Sequence, residues 1–413
     1  MITRRCLISL RTVCVSATLC VVVLGASGTA LSADALVVLR DGGATRTGEL
    51  LREGADGVEI EVKSADGALT HFLRWDQIRT LTSDSSSAQR EQRLARGAEL
   101  WRARVRLARG DLPAARTLFT QASRAVDAAA VLERMIIEEG IAQTALVDEE
   151  AWAESLASNL TASVFRSRYQ LPAEWIAQPH TVDARTGLLL GVAPVWLDGA
   201  SAQQARESLI VAADRARVQS DLALAELLTL ASRIAAADAG TPEKAPARVT
   251  TTAPASAQAP ASTSEPERTA HTTLEPATLE ARSAAKLAAK LLTGWADAVA
   301  ADAPARKRGR DALQSIARVE NGAVRMWAIY AEGRSLAMEE DPDKVRIGVG
   351  KMLLIPAAYS AEAPRLAAAA LLQSSIALVR IHDDESAAVL RRLHTAADDT
   401  DRIDVQSNPG ASP

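Results

Sequence analysis

Cysteine is nearly missing from this chain. Three occur in 413 residues, at Cys6, Cys14 and Cys20, and none follows. Beyond that point there can be no disulfide, thiol nucleophile or cysteine metal site. Aromatic residues make up only 3%, which leaves few large anchors for a ligand pocket. After residue 25 no apolar run approaches the roughly 20 residues that span a bilayer. No Gly-x-Ser-x-Gly elbow occurs, so the usual serine-hydrolase cue is absent. The net charge of −4 argues against a nucleic-acid surface, which depends on neutralising phosphates.

What is present begins with a targeting pattern. Arg4, Arg5 and Arg11 precede an apolar stretch from Thr12 to Gly25, and Ala30-Leu31-Ser32 supplies small residues for cleavage. Residues 1–33 therefore read as a secretory signal peptide. Cys20 follows Ala17-Thr18-Leu19, a poor lipid-attachment box. The expectation is an exported protein, periplasmic or extracellular, with no cysteine once the leader is removed. No integral membrane span is expected after that cleavage.

From residue 35 to 82 the hydrophobic period is two. Val58, Ile60 and Val62 alternate with Glu59, Glu61 and Lys63, which gives one buried and one wet face. Asp41-Gly42-Gly43 and Asp66-Gly67 suit tight turns. Five short strands are predicted, ending in FLRWDQIRTL. With LRDGGATRTGELL and the Asp-Gly turn, this module resembles a small SH3-like or Sm-like β-barrel. Some SH3-like barrels bind cell-wall peptides, so that resemblance implies a wall-polymer contact as one option. Trp75 beside His71 is the candidate recognition patch; a structural tryptophan is the alternative.

The period then becomes helical. Leu100 to Ala122 reads as a helical hairpin. Gly110 ends the first helix, Asp111 caps the second, and Pro113 sits in its first turn. Ala115, Leu118, Phe119 and Ala122 mark its buried face. Through Ala103, Gly110, Ala115, Phe119 and Ala122 the hairpin resembles a tetratricopeptide repeat, whose period is about 34 residues. Glu99, Arg102 and Arg106 stand where that family often places apolar residues, and the closing proline is missing. Ser201 and Ser220 are the expected N-caps of two further helices, with Leu209 and Val211 buried in the first. Leu287, Leu291, Trp295 and Val299, then Val324, Trp327, Tyr330 and Ala331, mark two more buried faces. Ala363–Ile381 and Glu385–Leu393 form a last pair, with Ala388 in the small position and Ile381-His382-Asp383 replacing the turn glycine.

The expected fold is mainly α, a helical-hairpin solenoid of tetratricopeptide type preceded by a five-stranded barrel. Its parts are a barrel over 35–82, helical regions over 89–238 and 274–397, a linker over 239–273 and a tail over 398–413. The linker is rich in Pro, Ala, Ser and Thr with almost no large apolar group, and cannot offset the cost of ordering. The two helical regions are expected to pack together.

Candidate chemistry is sparse. His382, Asp383, Asp384, Glu385 and His394 form the densest ligand-like group, and a helix start carrying acids explains them as well. Gly348-Val349-Gly350-Lys351 imitates a phosphate loop, but Met352 replaces the magnesium-binding hydroxyl and Val345 the upstream glycine. Glu154-Ser155 resembles the catalytic pair of lytic transglycosylases, but the Gly-Leu-Met-Gln that follows in that family is missing. Arg306, Lys307, Arg308 and Arg310 make a basic run that suits an acidic partner or a solvated helix end. No catalytic, metal or cofactor residue is assigned. The expected function is a non-catalytic scaffold that presents a concave helical face to a protein or peptide, with Arg102, Arg106, Arg109 and Trp75 as contact residues. The alternatives are a peptidoglycan-binding module and, third, a helical glycan-cleaving enzyme.

Overall fold

The computed structural model describes residues 34–40, 42–64, 67–83, 87–127, 129–144, 151–169, 182–183, 185–189, 191–244 and 279–406. The expected signal peptide, the helix start expected from the acids Asp148-Glu149-Glu150, the segment expected to begin at Pro172 and carry Trp175, and all of the expected linker beyond residue 244 lie outside them.

Five strands come first: β1 (Asp34–Leu39), β2 (Thr45–Glu53), β3 (Gly57–Ser64), β4 (Gly67–Arg74) and β5 (Ile78–Thr82), with a 3-10 turn at Trp75–Gln77. All neighbours are antiparallel, in the order β4-β3-β2-β1-β5. The five expected strands are present, but the sheet is not a closed barrel. β4 and β5 are its two edges. Its apolar face, with Val37, Leu50, Val58, Ile60 and Ile78 fully buried, is covered in part by Leu94 of the first helix. A helix laid on the sheet supplies the burial that closure would otherwise give. Gly97 permits this approach: a Cβ there would lie 2.3 Å from the Trp75 carbonyl oxygen.

Twelve helices follow among the described residues: α1 (Ala88–Ala108), α2 (Leu112–Ala125), α3 (Val131–Thr144), α4 (Trp152–Tyr169), α5 (Gly199–Val218), α6 (Leu222–Asp238), α7 (Leu279–Ala298), α8 (Ala303–Val319), α9 (Gly322–Ala337), α10 (Pro342–Tyr359), α11 (Pro364–Arg380) and α12 (Asp384–Gln406). They pack in consecutive pairs. The last helix continues to Gln406, into the segment expected from its composition to be a tail.

The pairs share their turns. In α1/α2, α5/α6 and α11/α12 one residue adopts the left-handed conformation: Gly110 (φ 76°), Ser220 (φ 59°) and His382 (φ 61°). An aspartate follows each, and its N–H donates to the carbonyl five residues back: Asp111 to Arg106, Asp221 to Ala216, Asp383 to Leu378. This closure satisfies the last helical carbonyls. His382 thus takes the place of the turn glycine. Ser220 is not the N-cap of α6; Asp221 is, accepting from the Leu224 N–H at 3.2 Å. Likewise Asp198 caps α5 and also holds the Ser201 hydroxyl at 2.7 Å. In both places a nearby carboxylate outcompetes the serine for the free N–H groups. The turns of α7/α8 and α9/α10 use Asp302 and Asp341 as caps, with proline in the first helical turn.

The helical body buries small residues at its crossings. A Cβ on Gly309 would sit 2.3 Å from the Ala298 nitrogen, and one on Gly348 would sit 2.6 Å from the Ala337 nitrogen. Gly294 and Gly333, Ala298 and Ala337, Asp302 and Asp341, Gly309 and Gly348 are each separated by 39 positions. The two pairs are therefore one motif repeated, with a spacing longer than the about 34 residues of a tetratricopeptide unit.

Three cores result. One lies in the sheet, a second joins Leu100, Phe119, Met135 and Phe165 across α1–α4, and the largest runs from Ala142 to Leu390. In the largest, Trp295 meets Trp327 edge-on at 6.2 Å and Tyr330 at 5.6 Å. Leu287, Leu291 and Val299, and Val324 and Ala331, are buried as their periodicity predicts. Leu209 is buried but Val211 faces solvent at 59%, and Leu222 is exposed. Two residues apart on a helix point to different sides, so Leu209 and Val211 cannot share one buried face. Ala387, not Ala388, takes the small buried position of α12.

A strap built from residues 182–183, 185–189 and 191–197 lies along α4. Asn159 accepts from the Leu189 N–H at 2.8 Å and donates to the Val192 carbonyl at 3.3 Å. Trp152 and Ser163 donate to the Ala193 and Thr186 carbonyls. The helices before residue 245 and those after residue 278 share one core, with α4 and α6 packed on α7.

Candidate functional site

A group of buried ionisable side chains lies where the sheet meets the helices. Three separate stretches build it. The β2–β3 turn supplies Asp56, the junction of β4 with the 3-10 turn supplies Arg74 and Asp76, and the helices supply Arg96 and Arg104 (α1) and Glu133 (α3).

Asp56 acts as a helix cap from outside the helix. Its Oδ1 accepts from the N–H groups of Leu132 (2.9 Å) and Glu133 (3.1 Å), which are among the free donors of the first turn of α3. The backbone reinforces this joint: the Trp75 N–H reaches the Asp56 carbonyl at 3.4 Å, and the indole N–H reaches the Gly54 carbonyl at 3.1 Å. Burial pushes the Asp56 carboxyl up to about 6, against the opposing effect of those backbone hydrogen bonds.

Glu133 is buried on the same turn, and burial pushes it up to about 7, against the attraction of Arg96. The Arg96 Nε stays 3.9 Å away, beyond hydrogen-bonding distance. Asp56, Asp76 and Asp127 each add repulsion. Asp76 differs. Burial would raise it, but Arg74 binds it through two nitrogens at 2.8 and 3.2 Å and Arg104 adds a second ion pair, so its carboxyl is held below the usual range.

The space enclosed by Asp56, Asp76, Glu133, Leu100, Leu132 and Ile136 is about 10 Å³. That is about the volume one water centre needs. The cluster joins the sheet to α1 and α3.

Other buried pairs do the same elsewhere. Arg166 donates to Glu139 at 2.8 Å between α4 and α3, and Arg334 of α9 meets Asp238 at the end of α6. Burial lowers the Arg334 guanidinium to about 10.

The residues singled out in the sequence are scattered. Trp75 is buried, at 3% exposure, over the sheet–helix joint. It is a packing residue there and offers no surface patch. His71 is half-buried, with its Nε2 3.1 Å from Arg46. Arg102 and Arg106 lie towards the C-terminal end of α1 and Arg109 is its C-cap; with Ala95 and Glu99 they follow one exposed stripe. Arg106 also binds Asp111 at 2.8 Å. Glu154 is exposed and paired with Arg116 at 2.6 Å. Gly348 lies in a helix crossing, and Lys351 binds Glu332 at 2.9 Å. Arg306 and Arg310 both turn to Glu339 of their own chain. His382 is a turn residue, and among the described residues no group of His, Asp and Glu is arranged to hold a metal ion.

Asp56, Arg96 and Glu133 have no signature in the sequence. Each is an ordinary charged residue until three distant stretches meet. The one available signal is that Arg96 and Arg104 flank the apolar face formed by Gly97, Leu100 and Ala103, where charge is kept only when paired.

Comparison with known proteins finds no matching family, no matching curated protein and no matching solved structure.

Proposed function

We propose that the protein is an exported, non-catalytic scaffold that binds a protein partner through the exposed surface of tetratricopeptide-like helix pairs. The observation that carries this reading is the α1 stripe of Arg102, Arg106 and Arg109, held on one open face of a helical hairpin. The chemistry that suits it is an acidic stretch of a partner, drawn by charge and read by guanidinium forks.

A concave helical face is the second choice. α4 is buried along almost its whole length, and the strap of residues 182–183, 185–189 and 191–197 lies against it, so α4 offers little surface to a partner. The exposed stripe at α1 is the surface that this reading assigns to the contact.

The test is capture from an envelope fraction with the wild-type chain and with Arg102→Glu/Arg106→Glu/Arg109→Glu. The expected result is a defined partner held by the wild type, weakened by salt, and lost from the triple variant. Retention of the same partner by the variant overturns the reading. Sedimentation of the whole chain with purified peptidoglycan, unchanged by the variant, would favour a wall-polymer function instead.

A further inference from the structure

Asp56 and Glu133 stand 77 positions apart in the chain, yet both line one small cavity. The charges around them are unevenly committed. On the β2–β3 side, Glu53 is bound by Arg90 and Arg93 of α1. At the end of β4 and in the 3-10 turn, Arg74 and Asp76 bind each other. From α1, Arg104 is taken by Asp76, while Arg96 donates to the Ala125 carbonyl at 3.3 Å and only approaches Glu133. Asp127, in the α2–α3 connection, adds another negative charge. Arg96 thus offsets Glu133 only from a distance, while the arginines at Asp76 and Glu53 are engaged by those carboxylates. Two like charges lining one small, largely buried cavity do not both ionise without strain on what holds them there.

We propose that this joint is a pH-responsive latch between the sheet and the helical body, closed when Asp56 and Glu133 retain a proton between them and slackened when both are ionised. Opening follows from repulsion across the cavity. The β2–β3 turn backs away from α3, and the Leu132 and Glu133 N–H groups lose their cap.

The direction is fixed by linkage. Both groups bind protons more tightly folded than unfolded, so their contribution is fully present below about pH 4 and is lost as pH rises through about 6 to 7. Asp76 has the opposite sign, since its carboxyl is held below the usual range. Its contribution is lost only as pH falls below its unfolded value, so it does not mask the effect between pH 5 and 7.5. Because the two carboxyls interact, the transition belongs to the pair.

Hydrogen exchange followed by mass spectrometry on the full chain tests this, with rates corrected for their intrinsic pH dependence. Protection of the segment around 130–137 is expected to fall at least about tenfold from pH 5 to pH 7.5, or about 1.4 kcal/mol in the free energy of opening. Segments in α8 and α10 should not change. Glu133→Gln removes one charge at nearly constant shape, and should keep the high protection at pH 7.5. Asp56→Asn gives a second neutral variant with the same expectation. Equal protection of the wild-type segment at both pH values overturns the latch, as does a parallel change in α8 and α10. So does a Glu133→Gln chain with an undiminished pH effect.

Discussion

His382 and Gly110 hold the same backbone position in two turns, one with a side chain and one without. A left-handed conformation is strained for any residue carrying a Cβ, and nothing in the structure shows a gain from the imidazole. His382→Gly is therefore expected to stabilise the protein by about 0.5–1 kcal/mol, and Gly110→Ala to destabilise it by about 1 kcal/mol. Urea unfolding midpoints would measure both, and opposite signs are the signature. A loss on His382→Gly would mean that the ring does something the turn geometry does not reveal. The same pair shows what a single residue tells from sequence. Gly110 is readable as a helix stop because glycine favours that conformation. His382 is not, because the backbone there is imposed by the Asp383 N–H bond to Leu378 and by the packing of Ala387. Asp56 and Glu133 are silent for a stronger reason, since their significance arises only from what faces them.

At the scale of helices, the controlling feature is how closely two backbones cross. Gly348 and Gly350 lie in one helix two positions apart and lead to opposite expectations. A Cβ on Gly348 would come within 2.4 Å of the Gly333 carbonyl oxygen and 2.6 Å of the Ala337 nitrogen, both backbone atoms. Neither can move without separating α9 from α10. Gly348→Ala is expected to cost about 1–3 kcal/mol as overpacking. Gly350 has nothing within 4 Å of its Cβ position, so Gly350→Ala is expected to stabilise by about 0.5–1 kcal/mol through helix propensity. Thermal melts of the two variants check the contrast, and similar shifts would refute close packing at this crossing. Strands and helices were legible because their periods, 2 and 3.6, are carried by the side chains. Val58, Ile60 and Val62 announce a strand, and Leu287, Leu291 and Trp295 a helix. Closure of the sheet was not legible. Whether β4 meets β5 depends on α1, which Gly97 admits against Trp75, and no property of residues 35–82 records that neighbour. The 39-residue spacing was present in the sequence, but Gly309 looks like a weak point in a helix until its partner Gly294 is known.

At the scale of the molecule, the question is whether the chain on either side of residues 245–278 forms one body or two. The core answers it. Trp295, Trp327 and Tyr330 belong to the same buried cluster as Leu156, Leu209 and Leu228. Ion pairs cross between the parts: Arg185 with Glu320, Arg233 with Asp297 at 3.6 Å, and Asp238 with Arg334. The Ala301 N–H adds a backbone link to the Glu243 carbonyl at 3.2 Å. The Asp238–Arg334 pair is the most deeply buried of them, with side-chain exposures of 3% and 7%. Removing one partner of such a pair strands a charge in the interior, at about 3–5 kcal/mol. A protease cut placed between residues 245 and 278 should therefore leave both fragments bound. The nicked protein should elute as one species and unfold in one transition. The fragment carrying 279–406, made alone, should not unfold cooperatively, because the α7 face that packs on α4 and α6 would be bare. Introducing Arg334→Leu should loosen the nicked complex more than the intact chain, since covalent continuity no longer compensates the stranded Asp238. Fragments that separate at micromolar concentration and each melt cooperatively would show two bodies instead of one, and would leave the α1 stripe as the property of a small independent unit.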